Sequence, residues 1–202
     1  MNNDVGGEIR RVKKLEQAHI ALGFESPDYR HDDSYVAHVY ATALGGGMAS
    51  RLFQEVREKR GLCYTIFSSA GAYVDTGMTT VYAGTGGDQV AELARITVDE
   101  MKRCAEDFSD EETARAKAQM KAGLLMGLEG PSSRAERMAR MVQIWGNVPP
   151  LDTVVEKIEA VSRADLRRYA EQMAVRTPMA LAYYGPVKTA PNHATLSERR
   201  AA

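Results

Sequence analysis

The chain has 202 residues, 44% hydrophobic and 26% charged, with 26 Lys and Arg against 27 Asp and Glu for a net charge of −1. That length makes one large domain, or two very small ones, and can bury a substantial core. The balanced charge lacks the basic excess on which phosphate-backbone binding depends, so nucleic acid is not an expected partner.

Cysteine usage and hydropathy narrow the class further. Cys63 and Cys104 are too few for a disulfide framework, and no Cys-x-x-Cys or Cys/His cluster suggests structural zinc, so both read as buried thiols. No run reaches the roughly 18 consecutive apolar residues of a membrane span, and the N-terminus lacks the order of a signal peptide. A soluble protein, cytoplasmic rather than periplasmic, is the expectation. The start Met1-Asn2-Asn3-Asp4-Val5-Gly6-Gly7 reads as a linker, which suggests a piece of a longer protein whose own targeting signal lies elsewhere.

Residues 1–14 are therefore expected as linker, 15–186 as the folded domain and 187–202 as a disordered polar tail. Gln17 to Glu25 alternates, with Ala18, Ile20, Leu22 and Phe24 on one face, and predicts a half-buried strand. Ser26-Pro27-Asp28 ends it, and Asp32-Asp33 opens a helix that the triple glycine Gly45-Gly46-Gly47 stops. A second helix starts near Met48, with Met48, Leu52, Phe53 and Val56 in one stripe and Lys59-Arg60-Gly61 at its end. Two β-rich runs, Leu62 to Val74 and Met78 to Thr85, flank Asp75-Thr76-Gly77 as a hairpin.

Helices follow over about 89–108 and, from the capping box Ser109-Asp110-Glu111-Glu112, to about Leu128. Ser133-Arg134-Ala135-Glu136 predicts another start, and Asn147-Val148-Pro149-Pro150 ends that helix. Two shorter helices, about 152–160 and 163–173, precede a last strand from Met179 to Tyr184. Hairpin plus helices in runs predicts an α+β domain, an antiparallel or mixed sheet with helices packed on one face. The other sheet face then needs an occupant.

Candidate chemistry is sparse. Arg57 sits at the edge of the apolar stripe, either as a stem lying on apolar surface or as a guanidinium fork for a carboxylate or backbone carbonyl. Tyr64, seven residues on, is either a core aromatic or a placed hydroxyl. The run Gly84-Thr85-Gly86-Gly87 invites a phosphate loop, but Gln89 stands where a dinucleotide fingerprint needs its third glycine, and Gly-Lys-Ser/Thr is absent. His31 and His38 would lie roughly 10 Å apart along a helix, too far to share an ion. His19 falls on the polar face of the first strand, and His193 in the tail. Met120, Met126, Met138, Met141 and Trp145 read as core filler.

The run Gly45-Gly46-Gly47-Met48-Ala49-Ser50-Arg51-Leu52-Phe53-Gln54-Glu55-Val56-Arg57-Glu58-Lys59-Arg60-Gly61-Leu62-Cys63-Tyr64 closely resembles the C-terminal homologous domain of the pitrilysin or insulinase-type (M16) zinc peptidases, the family of mitochondrial processing peptidase and insulin-degrading enzyme. The resemblance extends from Gly6-Gly7-Glu8 and Leu15-Glu16-Gln17-Ala18-His19 to the helices around Pro149-Pro150 and Ser162. It implies a half-clamshell that closes on a peptide against a homologous N-terminal half. That half carries zinc on an inverted His-x-x-Glu-His motif, and this chain has no such motif.

The resemblance thus implies no catalytic residue and no metal in this chain. Arg57 and Tyr64 match the pair that holds substrate near the metal, where a phenol could donate to a tetrahedral oxyanion. The open sheet face, His19 included, would line the substrate chamber. Gly45, Gly46 and Gly47 resemble a shortened substrate-guiding glycine loop, against which a plain helix-to-helix turn is the simpler reading. The implied function is the substrate-binding half of a zinc metalloendopeptidase, inactive alone. Its implied partners are the zinc-bearing half, in the same full-length chain or a separate subunit, and the peptide substrate. The alternative is a non-catalytic scaffold subunit. An isolated half is also expected to self-associate through the face its partner covers.

Overall fold

The computed structural model describes residues 6–201. Period-two burial sets the architecture: in β2 (Ala18–Ser26) the residues Ala18, Ile20, Leu22 and Phe24 are at most 3% exposed, and the residues between them face away from the core. β2 pairs antiparallel on one side with β4 (Gly77–Thr85) and on the other with β5 (Met179–Gly185). β3 (Thr65–Ala72) extends the sheet beyond β4, and β1 (Gly7–Val12) runs parallel to β5 at the opposite edge. The order β1-β5-β2-β4-β3 makes a five-stranded mixed sheet.

Helices cover one face, as expected. α1 (Ser34–Gly45), α2 (Val90–Asp107) and α6 (Arg163–Glu171) pack around Tyr40, Leu44, Leu93, Met101, Leu166 and Tyr169, all fully buried against the sheet. Tyr40 stands edge-on to Phe108 and Tyr169, with ring centroids 6.0 and 5.3 Å away. α3 (Asp110–Met126) opens on the capping box read from sequence, Ser109 Oγ accepting from the Glu112 amide while the Glu112 carboxylate accepts from the Ser109 amide. α5 (Leu151–Ala160) completes the helical layer. Short π-helical segments occupy Phe53–Glu58 and Gln172–Arg176.

Four expectations are corrected. Residues 1–5 lie outside the described residues, but 7–12, expected as linker, form β1. An edge strand needs neither a continuous apolar face nor strict alternation, because ladder hydrogen bonds hold it along one side. Arg10 secures it further: the guanidinium pairs with Glu8 at 2.6 Å, lies 4.9 Å from the Tyr183 ring centroid, and donates to the carbonyls of Val187, Ala190 and Pro191.

The tail expected to be disordered instead forms α7 (His193–Ala201). Its anchor is small in apolar terms, chiefly Leu196, and so was faint in the pattern. The rest is polar: buried Arg200 donates to the carbonyls of Met173 and Thr177, satisfying the end of the second π segment, and lies over the Phe24 ring.

α4 (Pro131–Trp145) begins two residues before Ser133, with Gly130 as N-cap and Pro131 at its first turn, where a missing N–H costs nothing. Met126 and Met138 are exposed rather than core: α3 buries only Thr113 and Ala116, far from Met126 at its end, and α4 buries only Ile144.

Asp33 stands at the N-cap of α1 without capping it. Its carboxylate instead accepts two bonds from Arg168, at 2.9 and 2.5 Å, tying α1 to α6. The Arg168 hydrogen bond holds the Asp33 carboxyl below its ordinary range. A depressed carboxylate stabilises above its unfolded-state pKa and loses that contribution as pH falls through its folded one. With Arg168 half-exposed, screening limits the gain, so Asp33→Asn is expected to cost under about 1 kcal/mol near neutral pH. In urea titrations the difference should vanish in strong acid.

Candidate functional site

Between Gly47 and Tyr64 the chain makes a short arm at the β3 side of the sheet. Leu52 and Val56 are fully buried, and Phe53 is half-buried beside them. The arm is wider than an α-helix: the Lys59 amide donates to the Gln54 carbonyl five residues back, at 3.0 Å. The Gly61 amide closes on Arg57 O, and Gly61 itself adopts φ 63°, a left-handed conformation that glycine takes without strain. The sequence pattern predicts an ordinary helix here; the π turn is a finding of the structure.

Charges on the arm are sorted by this geometry. Lys59 and Arg60 both bind the Glu55 carboxylate, at 2.5 and 2.9 Å, and hold it below the usual carboxylate range. Arg57 points elsewhere. Its guanidinium carbon lies 4.6 Å from the Phe53 ring centroid, and among the described residues it has no carboxylate partner. A ring face orients a guanidinium while leaving its N–H donors free, so Arg57 is an exposed, positioned, unspent fork.

Past Gly61, Leu62 and Cys63 turn inward and fix the start of β3. The Thr85 hydroxyl donates to the Leu62 carbonyl, and the Tyr64 amide donates to Gly84 O at 3.0 Å. Tyr64 therefore has a pinned backbone and a side chain left in solvent, 66% exposed. Burial pushes the Cys63 thiol up to about 11, and the Arg57 charge opposes that shift. Tyr64 is thus not the core aromatic that spacing alone allowed, whereas Arg57 lies on an apolar ring with its head in water, an arrangement open to both readings of it.

The triple glycine sits in the helical layer. A Cβ on Gly45 would lie 2.4 Å from the Ser68 amide nitrogen, and one on Gly46 would lie 2.6 Å from Thr42 Cα. Gly47 meets only the flexible end of Gln119, whose amide donates to Gly46 O at 2.5 Å. Close approach of α1 to β3 accounts for Gly45.

The sheet face without helices carries residues that the sequence pattern did not single out. Besides His19, it presents Tyr82, Tyr184 and Phe67. His19 Nδ1 lies 2.7 Å from the Tyr82 hydroxyl, and its ring stands 6.1 Å from that of Tyr82 and 6.3 Å from that of Tyr184. Phe67 adds a fourth ring 5.2 Å from Tyr82. Strand parity was the available signal, since each residue alternates with a core position. Beside these rings a trough of about 560 Å³ runs over Ala21, Gly23, Ala180 and Ala182, walled by Ile9 and Met78.

Zinc does not fit the donors present. No group of three His, Cys, Asp or Glu side chains able to hold a metal occurs among the described residues, and the ring partners of His19 are phenols, which leave it without a second ligand of the usual kind. Nor is any helix among the described residues long and apolar enough to cross a membrane.

Known proteins share both sequence and shape with this domain. It is 37% identical over 177 residues to an uncharacterized zinc protease of Streptomyces coelicolor, covering 87% of this chain and 38% of that protein. With the uncharacterized zinc protease YmxG of Bacillus subtilis it shares 34% over 167 residues, 82% of this chain and 41% of the relative. The chain therefore spans about two fifths of these relatives.

Among solved structures, a chain of complex III2 from Candida albicans, bound to Inz-5, superposes with a TM-score of 0.87 at 19% identity, covering 96% of this chain and 49% of that one. A protease from Helicobacter pylori gives 0.79 at 22%, covering 88% and 43%. At those identities the two establish the fold. The family model described as the peptidase M16 inactive domain matches residues 3–120, more than half of the sequence, and the chain belongs to that family.

Proposed function

We propose that this domain is the substrate-holding half of a zinc endopeptidase, gripping a peptide through Arg57 and Tyr64 while a homologous half holds the metal. The observation that carries the reading is the unspent Arg57 fork, oriented over Phe53 and followed, across the Gly61 turn, by an exposed Tyr64. A guanidinium can donate to two peptide carbonyl oxygens at once, and the phenol can add one further bond. Lysine in place of Arg57 would keep the charge and lose the fork.

The names of the relatives support a protease, and the description of the matching family as an inactive domain supports a division in which another half cuts the bond. That half belongs either to the same full-length polypeptide or to a second subunit. The purified chain supplied with zinc is expected to bind peptides without cleaving them, and cleavage should appear on adding a zinc-bearing homologous half. Chelator-sensitive turnover by the chain alone would overturn the division of labour.

A further inference from the structure

The four rings on the open sheet face form a band that crosses the strands rather than following one. Register places Tyr184 of β5 opposite His19 of β2, and Phe67 of β3 opposite Tyr82 of β4. The His19–Tyr82 bond of 2.7 Å joins the two pairs. On β1, Arg11 is in register with Tyr184 and lies two residues from Ile9, which walls the trough, so it extends the band on the same face. The result is one cation and four rings in line across all five strands.

Electrostatics decides what such a band can receive. Rings alone would accept either an apolar side chain or a cation over their faces. Arg11 is exposed and has no ion pair among the described residues, so it repels a second cation at the Tyr184 end of the band. The open-face carboxylate of β2, Glu25, stands at the far end of the trough opposite Met78, about 20 Å along the strand from His19. It is too far to offset Arg11 through solvent. The floor beside the band is mostly Ala21, Gly23, Ala180 and Ala182, which leave room over the sheet, and Glu8, which also lines the trough, has its carboxylate occupied by Arg10 and the His193 amide.

We propose that the band Arg11, Tyr184, His19, Tyr82 and Phe67 is a specificity subsite that selects a large uncharged side chain, aromatic or aliphatic, of an extended peptide and rejects lysine and arginine. This rests on the substrate-holding reading above and names the class of residue that the open face prefers. Tyr82 and Tyr184 supply the stacking faces. The Tyr82 hydroxyl holds the His19 ring in line, and Arg11 supplies the rejection of cations.

The test uses the chain itself and capped pentapeptides of alanine with Phe, Leu, Arg or Glu at the centre, titrated by NMR with the His19 ring protons as reporter. The Phe and Leu peptides are expected to shift those protons and to bind about three- to tenfold more tightly than the Arg peptide. Tyr82→Ala with Tyr184→Ala should erase that preference, whereas Tyr82→Phe should keep most of it. Arg11→Glu should improve binding of the Arg peptide. Equal affinity for the Phe and Arg peptides, an unchanged preference in the double variant, or His19 signals that no peptide moves would each overturn the subsite. So would tighter binding of a short single-stranded oligonucleotide, since rings on a sheet also stack bases. Arg57→Ala separates the two proposals: weaker binding of every peptide with the preference intact supports both, and an unchanged Arg57→Ala with the preference intact removes the role of Arg57 alone.

Discussion

With the zinc-bearing half present, Arg57→Ala and Tyr64→Phe are each expected to lower kcat/KM for peptide cleavage about ten- to a thousandfold, the range for loss of one preorganised donor to developing charge. Both side chains project from the fold, so neither substitution opens a cavity or strands a buried partner. Stability should hold within about 0.5 kcal/mol. Thermal melts run beside the kinetics check this, and the kinetic loss then belongs to substrate handling. Arg57→Lys should recover only part of the activity, because the ammonium cannot donate as a planar fork. Wild-type turnover in both Arg57→Ala and Tyr64→Phe would overturn substrate holding by this pair.

Gly45→Ala is expected to act in the opposite way, on stability first. The added Cβ would sit 2.4 Å from the Ser68 amide nitrogen and 2.7 Å from Ser68 Cβ, so α1 and β3 must separate. Overpacking of this kind costs about 1–3 kcal/mol, or roughly 2–10 °C in Tm for a domain of this size. Gly47→Ala meets only the mobile amide of Gln119 and should be nearly neutral. This pair separates the two roles considered for the glycine run. A Gly47→Ala variant with normal stability and impaired cleavage would support substrate guidance by the loop. A stability loss confined to Gly45 supports a turn built for close packing.

Much of the fold was legible in the chain because burial on one side of a strand leaves a period-two trace. Ala18 to Phe24 and Met179 to Tyr183 show it, and the Ser109 box marks the start of α3 by local chemistry alone. β1 and α7 were not legible. Arg10 and Arg200 hold them through bonds to carbonyls distant in sequence, and a polar residue that satisfies remote carbonyls looks the same in sequence as one in solvent. The exposure of Met138 was hidden for the related reason that helical spacing describes a stripe and does not say whether anything covers it.

For the site, the sequence by itself determined the chemistry available: an arginine and a tyrosine seven residues apart around a glycine turn, in a run characteristic of a zinc peptidase half, with no zinc motif. Only the tertiary structure decided that Arg57 is spared by its neighbours, since Lys59 and Arg60 share Glu55 while a π turn sets Arg57 over Phe53. It alone also decided that Tyr64 stands in solvent and that rings from four strands meet in one band. The reason is physical: residue type fixes what a side chain can donate or accept, whereas its partners depend on backbone hydrogen bonds and strand register between segments far apart in the chain.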